Sequence, residues 1–313
     1  MSNNIKAKWN VADIPDQSGR IVIVTGANSG LGLETTRALV AKNAKVIMAC
    51  RTLSKAVPVA DQIRRAQPKA DIDVMQLDVA KLHSVKDFAK SFIGRYGKLD
   101  ILINNAGVMG CPTRETTTDG FEMQFGTNHL GAFALTGRLM PALQAAAAAR
   151  VIAVSSIAHR NTDGMNLDDP NLEQGYKPFD AYAKSKLANL LFVRELDRRL
   201  RAANIDMLAA SGHPGYSASN IGTASNPNNN PIKALFFKMG NWVAMPTTKG
   251  MLSILCAATD PSIEGGDFIG PQGLLGFYGW PAKSTPKPTA TDDATAKRLW
   301  EISADLTGVH YLD

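Results

Sequence analysis

The feature that most constrains this chain is an alternation of short apolar runs with helix-length stretches. It starts at residues 20–25 (RIVIVT), which read as a buried strand running into a glycine-rich turn. A helical pattern follows over 31–42, then a strand at 45–49, a helix at 54–66, a strand at 72–77, a helix at 84–96 and a strand at 99–103. The second half keeps the rhythm. A mostly helical stretch over 120–144 leads to a strand at 150–154, a helix at 181–201, a strand at 205–210, a helix at 248–257 and a short strand near Phe268. Short strands separated by helices predict an α/β fold with a parallel sheet and crossover helices. The strands are apolar at successive positions, as expected where helices cover both faces.

No break in composition divides the chain, so one doubly wound domain is expected over 20–280, flanked by an N-terminal extension (1–19) and a C-terminal extension (281–313). Within the latter, 281–293 reads as an extended link to a short helix. The charge balance is basic, with 34 Lys and Arg against 28 Asp and Glu. Like charges do not cluster into a tail, so nucleic acid is not an expected partner, while an anionic small ligand fits. The three cysteines, Cys50, Cys111 and Cys256, have no metal-ligand spacing and read as reduced thiols. With no apolar leader and no run long enough to cross a bilayer, a cytoplasmic protein without a transmembrane segment is expected.

The turn after the first strand reads Thr25-Gly26-Ala27-Asn28-Ser29-Gly30-Leu31-Gly32. Between a strand and a helix, such glycines allow a tight turn and close approach of a pyrophosphate, which the free N–H groups of the helix start then receive. This makes the sheet Rossmann-type. The second strand ends at Cys50-Arg51. An acidic residue there would read the ribose hydroxyls of NAD; Arg51 suits a 2′-phosphate instead. NADP(H) is therefore expected in preference to NAD(H).

Tyr182 and Lys186 lie four apart at the start of a helix and share a face. A phenol with its ordinary pKa near ~10 is a poor base, and a neighbouring ammonium is expected to lower it. Ser155 and Ser156 end one strand, and Asn104-Asn105-Ala106-Gly107 ends another, where open parallel sheets bind ligands.

Taken together these motifs resemble the short-chain dehydrogenase/reductase family, in the expected order from about residue 20 to 270. The resemblance implies that the 25–32 turn holds the cofactor phosphates, that Asp78 with Val79 contacts the adenine side, and that Asn105, Ala106 and Gly107 form a structural and cofactor motif. It implies a proton-relay role for Asn128, a catalytic role for Ser156, a proton donor and acceptor in Tyr182, and a ribose-holding, pKa-biasing role for Lys186. Pro214 and Gly215 would hold the nicotinamide, with Ser217 and Ser219 contacting it where valine and threonine are common in the family. The long stretch between Ser156 and Tyr182, with SSIAHR, GMNLDD and AYAKSKLANLLFVREL, resembles the retinol dehydrogenase and WW-domain oxidoreductase branch. That branch implies a lipophilic alcohol or carbonyl substrate.

The segment 216–246 is expected to form a substrate lid, with Ile232, Leu235, Phe236, Met239 and Val243 at helical spacing. His129, His159 and His213 read as locally hydrogen-bonded rather than metal-binding. A homo-oligomer is compatible with the sequence. The alternative reading is an NADP(H)-binding redox sensor without turnover.

Overall fold

The computed structural model describes residues 5–216 and 245–313. In chain order the elements are β1 (Ile21–Thr25), α1 (Gly30–Val40), β2 (Lys45–Cys50), α2 (Leu53–Ala66), β3 (Ile72–Gln76), α3 (Leu82–Tyr96) and β4 (Ile101–Asn104). Next come a short α4 (Met123–Phe125), a π-helical turn (Gly126–Leu130), α5 (Gly131–Gln144) and β5 (Ala149–Val154). They are followed by α6 (Pro178–Ala202), β6 (Met207–Gly212), α7 (Thr247–Thr259), β7 (Phe268–Pro271), β8 (Pro281–Lys283) and α8 (Asp293–Thr307).

These strands form one sheet in the order β3-β2-β1-β4-β5-β6-β7-β8. Every neighbouring pair is parallel except β7 and β8, which run antiparallel through Ile269↔Lys283 and Pro271↔Pro281. The order reverses between β1 and β4, so the glycine turn after β1 opens at the switch point. The expected doubly wound sheet is present. The link at 281–293 differs from its reading, because its first residues pair with β7 as an edge strand. That pairing joins segments distant in sequence and leaves no local periodicity to detect.

Alternate residues of each strand face opposite layers. Val22, Val24, Val46, Met48, Ile101 and Ile103 pack on one side, in the same cluster as residues of α1, α2 and α7. Ile23, Ile47, Ala49 and Leu102 pack on the other, with residues of α3, α5 and α6. Both ends of the chain join these layers. Trp9 is fully buried in the first, while Trp300 of α8 and Tyr311 join the second. The Trp300 ring meets Phe133 edge-on at 4.9 Å. Tyr216 and Met245, which border the gap in the described residues, are joined by a hydrogen bond from the Met245 N–H to the Tyr216 carbonyl at 2.7 Å. Among the described residues no helix is long and apolar enough to cross a membrane.

Candidate active site

The turn after β1 is bound to the turn after β4 by a small polar knot. Thr25 Oγ1 accepts from the N–H groups of Asn105 (2.9 Å) and Ala106 (2.8 Å), and Asn105 Nδ2 donates to the Thr25 carbonyl (2.8 Å). Gly26 and Gly30 hold φ of +66° and +54°, conformations that favour glycine. A Cβ on Gly32 would sit 2.4 Å from the Gly26 carbonyl oxygen, so a side chain there would wedge the turn open. Ser29 stands at the N-cap of α1 with no side-chain capping bond. The first turn of α1 therefore keeps its N–H groups for a ligand, and Gly30, Leu31 and Gly32 line the cleft beside it.

That cleft, of about 740 Å³, runs along the C-terminal strand ends. At the end near β2, Arg51 lies on its wall with Thr52 and Lys55, and Asp78 and Val79 line the same cleft. Glu34, the one acidic residue between Gly32 and Asp61, pairs with Arg37 at 2.7 Å within α1. Lys55 was missed by the sequence reading. Its signal was there, since it follows Arg51 by four residues with α2 beginning at Leu53. Gly26, Asn28, Ser29, Asn105, Ala106 and Gly107 line the middle.

At the other end β5 delivers Ser155 and Ser156. Ser155 turns inward, its hydroxyl donating to the Lys186 carbonyl at 2.8 Å. Ser156 lines the cleft and caps the 3₁₀ turn Ile157–Asn161, its Oγ accepting from Ala158 N–H at 3.2 Å. Tyr182 and Lys186 reach the same cleft from α6, with Lys186 Nζ 5.7 Å from the tyrosine ring centre. The ammonium donates to the Val154 carbonyl at 3.0 Å. Burial pushes the Lys186 pKa down to about 8. Burial also raises the Tyr182 phenol above its ordinary value, against a hydrogen bond with the Ser156 side chain that lowers it. The expected lowering by the neighbouring ammonium is thus not the dominant effect in the protein alone. Desolvation of both groups outweighs it.

Asn128 sits behind the cleft wall, in the π-helical turn that leads into α5, a distortion often found at functional sites. Its Oδ1 accepts from Val108 N–H (2.7 Å), and its Nδ2 donates to the Val108 carbonyl (2.9 Å) and to Ser185 Oγ (2.8 Å). Gly107 fits between Asn128 and Lys186: a Cβ there would lie 2.9 Å from Asn128 Oδ1 and 3.5 Å from Lys186 Nζ. Pro214 and Gly215 complete the floor. Gly215 has φ +67°, and its N–H donates to His213 Nδ1 at 3.2 Å. Ser217, Ser219, most of the expected lid and its apolar stripe lie outside the described residues.

The three histidines make local hydrogen bonds, His129 Nε2 with Ser303 Oγ at 2.8 Å among them. The cysteines are free thiols. An aromatic rim of Phe179, Tyr216 and Phe277 lines the cleft; Tyr216 falls within the expected lid, while Phe179 and Phe277 were missed by the sequence reading. Phe179 lies three residues before Tyr182 on the same helix and was within reach of a helical-face argument. Phe277 arrives from the turn after β7, which nothing local signals.

The uncapped start of α1 and the side chains of Ser156, Tyr182 and Lys186 thus share a single cleft, an arrangement able to serve a dinucleotide-dependent oxidoreductase. Comparison with known proteins agrees. The model of the short chain dehydrogenase family matches residues 20–230. Human retinol dehydrogenase 14 is 38% identical over 308 residues, covering 93% of this chain and 87% of that protein. Human retinol dehydrogenase 13 is 39% identical over 300 residues, covering 93% and 85%. The crystal structure of an uncharacterized protein from Mycobacterium paratuberculosis has a TM-score of 0.81 at 38% identity, covering 97% of this chain and 99% of that one. A Shigella flexneri short chain dehydrogenase complexed with NADP shares the fold, with a TM-score of 0.62 at 24% identity over 81% and 97%. The chain belongs to the short-chain dehydrogenase family, on the branch of the retinol dehydrogenases. It is an oxidoreductase acting on CH–OH groups with a nicotinamide cofactor.

Proposed function

We propose that the chain interconverts a lipophilic alcohol and its carbonyl compound with NADP(H) in preference to NAD(H), and that Tyr182 exchanges the proton. The observation that carries this reading is the convergence of Ser156, Tyr182 and Lys186 on the cleft that the glycine turn shares. The fit to a dinucleotide rests on the uncapped start of α1, the left-handed Gly26 and Gly30, and the Arg51–Lys55 wall. When bound, the cofactor supplies or accepts the hydride.

In the reductive direction, Ser156 Oγ donates a hydrogen bond to the carbonyl oxygen. The phenol of Tyr182, held protonated by its burial, gives that oxygen a proton. Lys186 holds the ribose side and keeps a positive charge near the phenolate that results. Asn128, bound to Val108 on one side and Ser185 on the other, orders the relay path behind Lys186. The lipophilic substrate is supported by the rim of Phe179, Tyr216 and Phe277 and by Met109, Met123 and Ile157 in the lining. Three free thiols fit the reducing, cytoplasmic setting we propose.

The test is turnover against cofactor binding. Tyr182→Phe removes one hydroxyl and is expected to lower kcat by about 10²–10⁴-fold while the NADPH Kd, read by fluorescence, stays within about twofold. Near-full activity in Tyr182→Phe would overturn the mechanism.

A further inference from the structure

His159 lies in the 3₁₀ turn that Ser156 caps, and it is fully buried. Its ring stands edge-on to Phe268 of β7 at 5.4 Å. Nδ1 is 2.7 Å from the Ser156 carbonyl oxygen, and Nε2 is 3.2 Å from the backbone nitrogen of Lys287. A carbonyl only accepts and a backbone N–H only donates. The two partners therefore assign the tautomer: Nδ1 carries the proton and Nε2 is bare. Only the neutral ring serves both neighbours. Burial favours the same form, with Arg160 and Lys287 adding to the effect, against the Ser156 carbonyl that favours the cation.

Lys287 belongs to the segment after β8, which is strapped onto this turn at several points. Arg160 donates to the Thr285 carbonyl at 2.6 Å and Lys287 Nζ donates to the Thr162 carbonyl at the end of the turn, while Ser284 N–H ties the strap to the Phe268 carbonyl of β7 at 2.7 Å. Ser156 itself is extended, with φ −151° and ψ 153°. Its carbonyl takes two donors from one residue, the His159 N–H at 3.1 Å and the His159 ring at 2.7 Å. Holding that carbonyl restrains the ψ of Ser156 and so the set of the Cα–Cβ bond, while the Ala158 N–H holds Oγ itself.

We propose that His159 is a positioning residue, whose imidazole transmits the seat of the 284–288 strap to the backbone of Ser156 and so sets where the serine hydroxyl meets the substrate oxygen. This rests on the role of Ser156 proposed above. It gives a C-terminal segment remote from the cleft lining a part in the reaction, through one ring with a donor on one edge and an acceptor on the other.

Lys287 allows a clean test. Its φ of −62° is that of proline, and it already stands between two prolines. Lys287→Pro therefore removes the backbone N–H with little strain, whereas Lys287→Ala removes the side chain and keeps that N–H. Both variants are expected to bind NADPH as the parent does. Lys287→Pro is expected to fall about tenfold below Lys287→Ala in kcat, the scale of effect that small misplacements produce. His159→Leu should be at least as slow, and His159→Leu with Lys287→Pro no slower than His159→Leu alone. His159→Asn keeps a donor for Ser156 but offers nothing to Lys287, and should match Lys287→Pro. Equal kcat for Lys287→Pro and Lys287→Ala, or multiplying effects in the double variant, would overturn the coupling. Ser156→Ala in the same assay separates the two readings. If it retains full turnover, the role of the serine itself fails; if it is slow while the two Lys287 variants are equal, only the coupling does. Nitrogen NMR of the His159 ring is an independent check. An Nδ1–H tautomer is expected, and an Nε2–H tautomer or a cation at neutral pH would reject the proposal even where a variant fails to fold.

Discussion

Lys186 keeps a titratable amine where water barely reaches, and this has a thermodynamic signature apart from catalysis. Its pKa is about 8 in the folded chain against an ordinary 10.5. Below pH 8 both folded and unfolded chains carry the proton, and folding bears the full cost of burying it. Between pH 8 and 10.5 the folded form releases the proton while the unfolded form retains it, so that cost fades as pH rises. Lys186→Met should therefore raise stability by about 1–3 kcal/mol at pH 7 and by little near pH 10, while abolishing most turnover. Urea melts of the cofactor-free protein at the two pH values check this; a variant less stable at pH 7 would contradict it. Arg51 and Lys55 make a second pair of residues to separate. Arg51→Asp should lower kcat/KM with NADPH by about tenfold or more and leave the value with NADH little changed, while Lys55→Ala should show a smaller loss of the same sign. Steady-state kinetics with both cofactors decides, and a parent enzyme that prefers NADH would reject the assignment. The motif residues were legible because each belongs to a local pattern of strand, turn and helix. The raised pKa of Tyr182 was not, because it depends on how completely several elements cover the ring.

At the level of elements, helix α5 is pressed against the C-terminal tail at a point where only glycine fits. A Cβ on Gly137 would lie 2.4 Å from the Tyr311 ring and 2.7 Å from Val309. Exchanging glycine for alanine within a helix is ordinarily worth ~1 kcal/mol in favour of alanine. Here Gly137→Ala should instead cost about 1–3 kcal/mol, because the tail must shift or the aromatic group around Phe133 and Trp300 must open. In a chain ending at Gly308 the same change should become neutral or stabilising. Denaturant midpoints of the four proteins read this directly, and a cost that persists after truncation would locate the strain elsewhere. Nothing in the sequence marks Gly137, since the partner of this helix position lies far along the chain. The same holds for β8: three residues in a proline-rich stretch show no strand periodicity, and only the edge of β7 gives them a place. The helices α1, α2, α3 and α6, by contrast, begin and end within a few residues of where their sequence patterns put them.

Over the whole molecule, the sheet gathers the cleft-lining residues at its strand ends, and residues near both termini pack into its two layers. A different consequence follows from the hydrogen bond between Met245 and Tyr216. That bond holds residues 216 and 245 together, and none of the described strand pairings draws on the residues between them, so the length of that stretch can change without altering the described register. The entropy of closing a loop grows slowly with length, by about 0.6 kcal/mol per doubling. Replacing residues 220–242 with a short Gly-Ser linker should therefore shift the unfolding free energy of the remainder by no more than about 1–2 kcal/mol and leave NADPH binding in place, while the ranking of substrates changes. Loss of the fold in that variant would mean the segment is structural. If it is not, a lineage could exchange this one stretch for another and acquire a new substrate range while keeping its chemistry, so that the tempo of change differs on the two sides of a single backbone hydrogen bond.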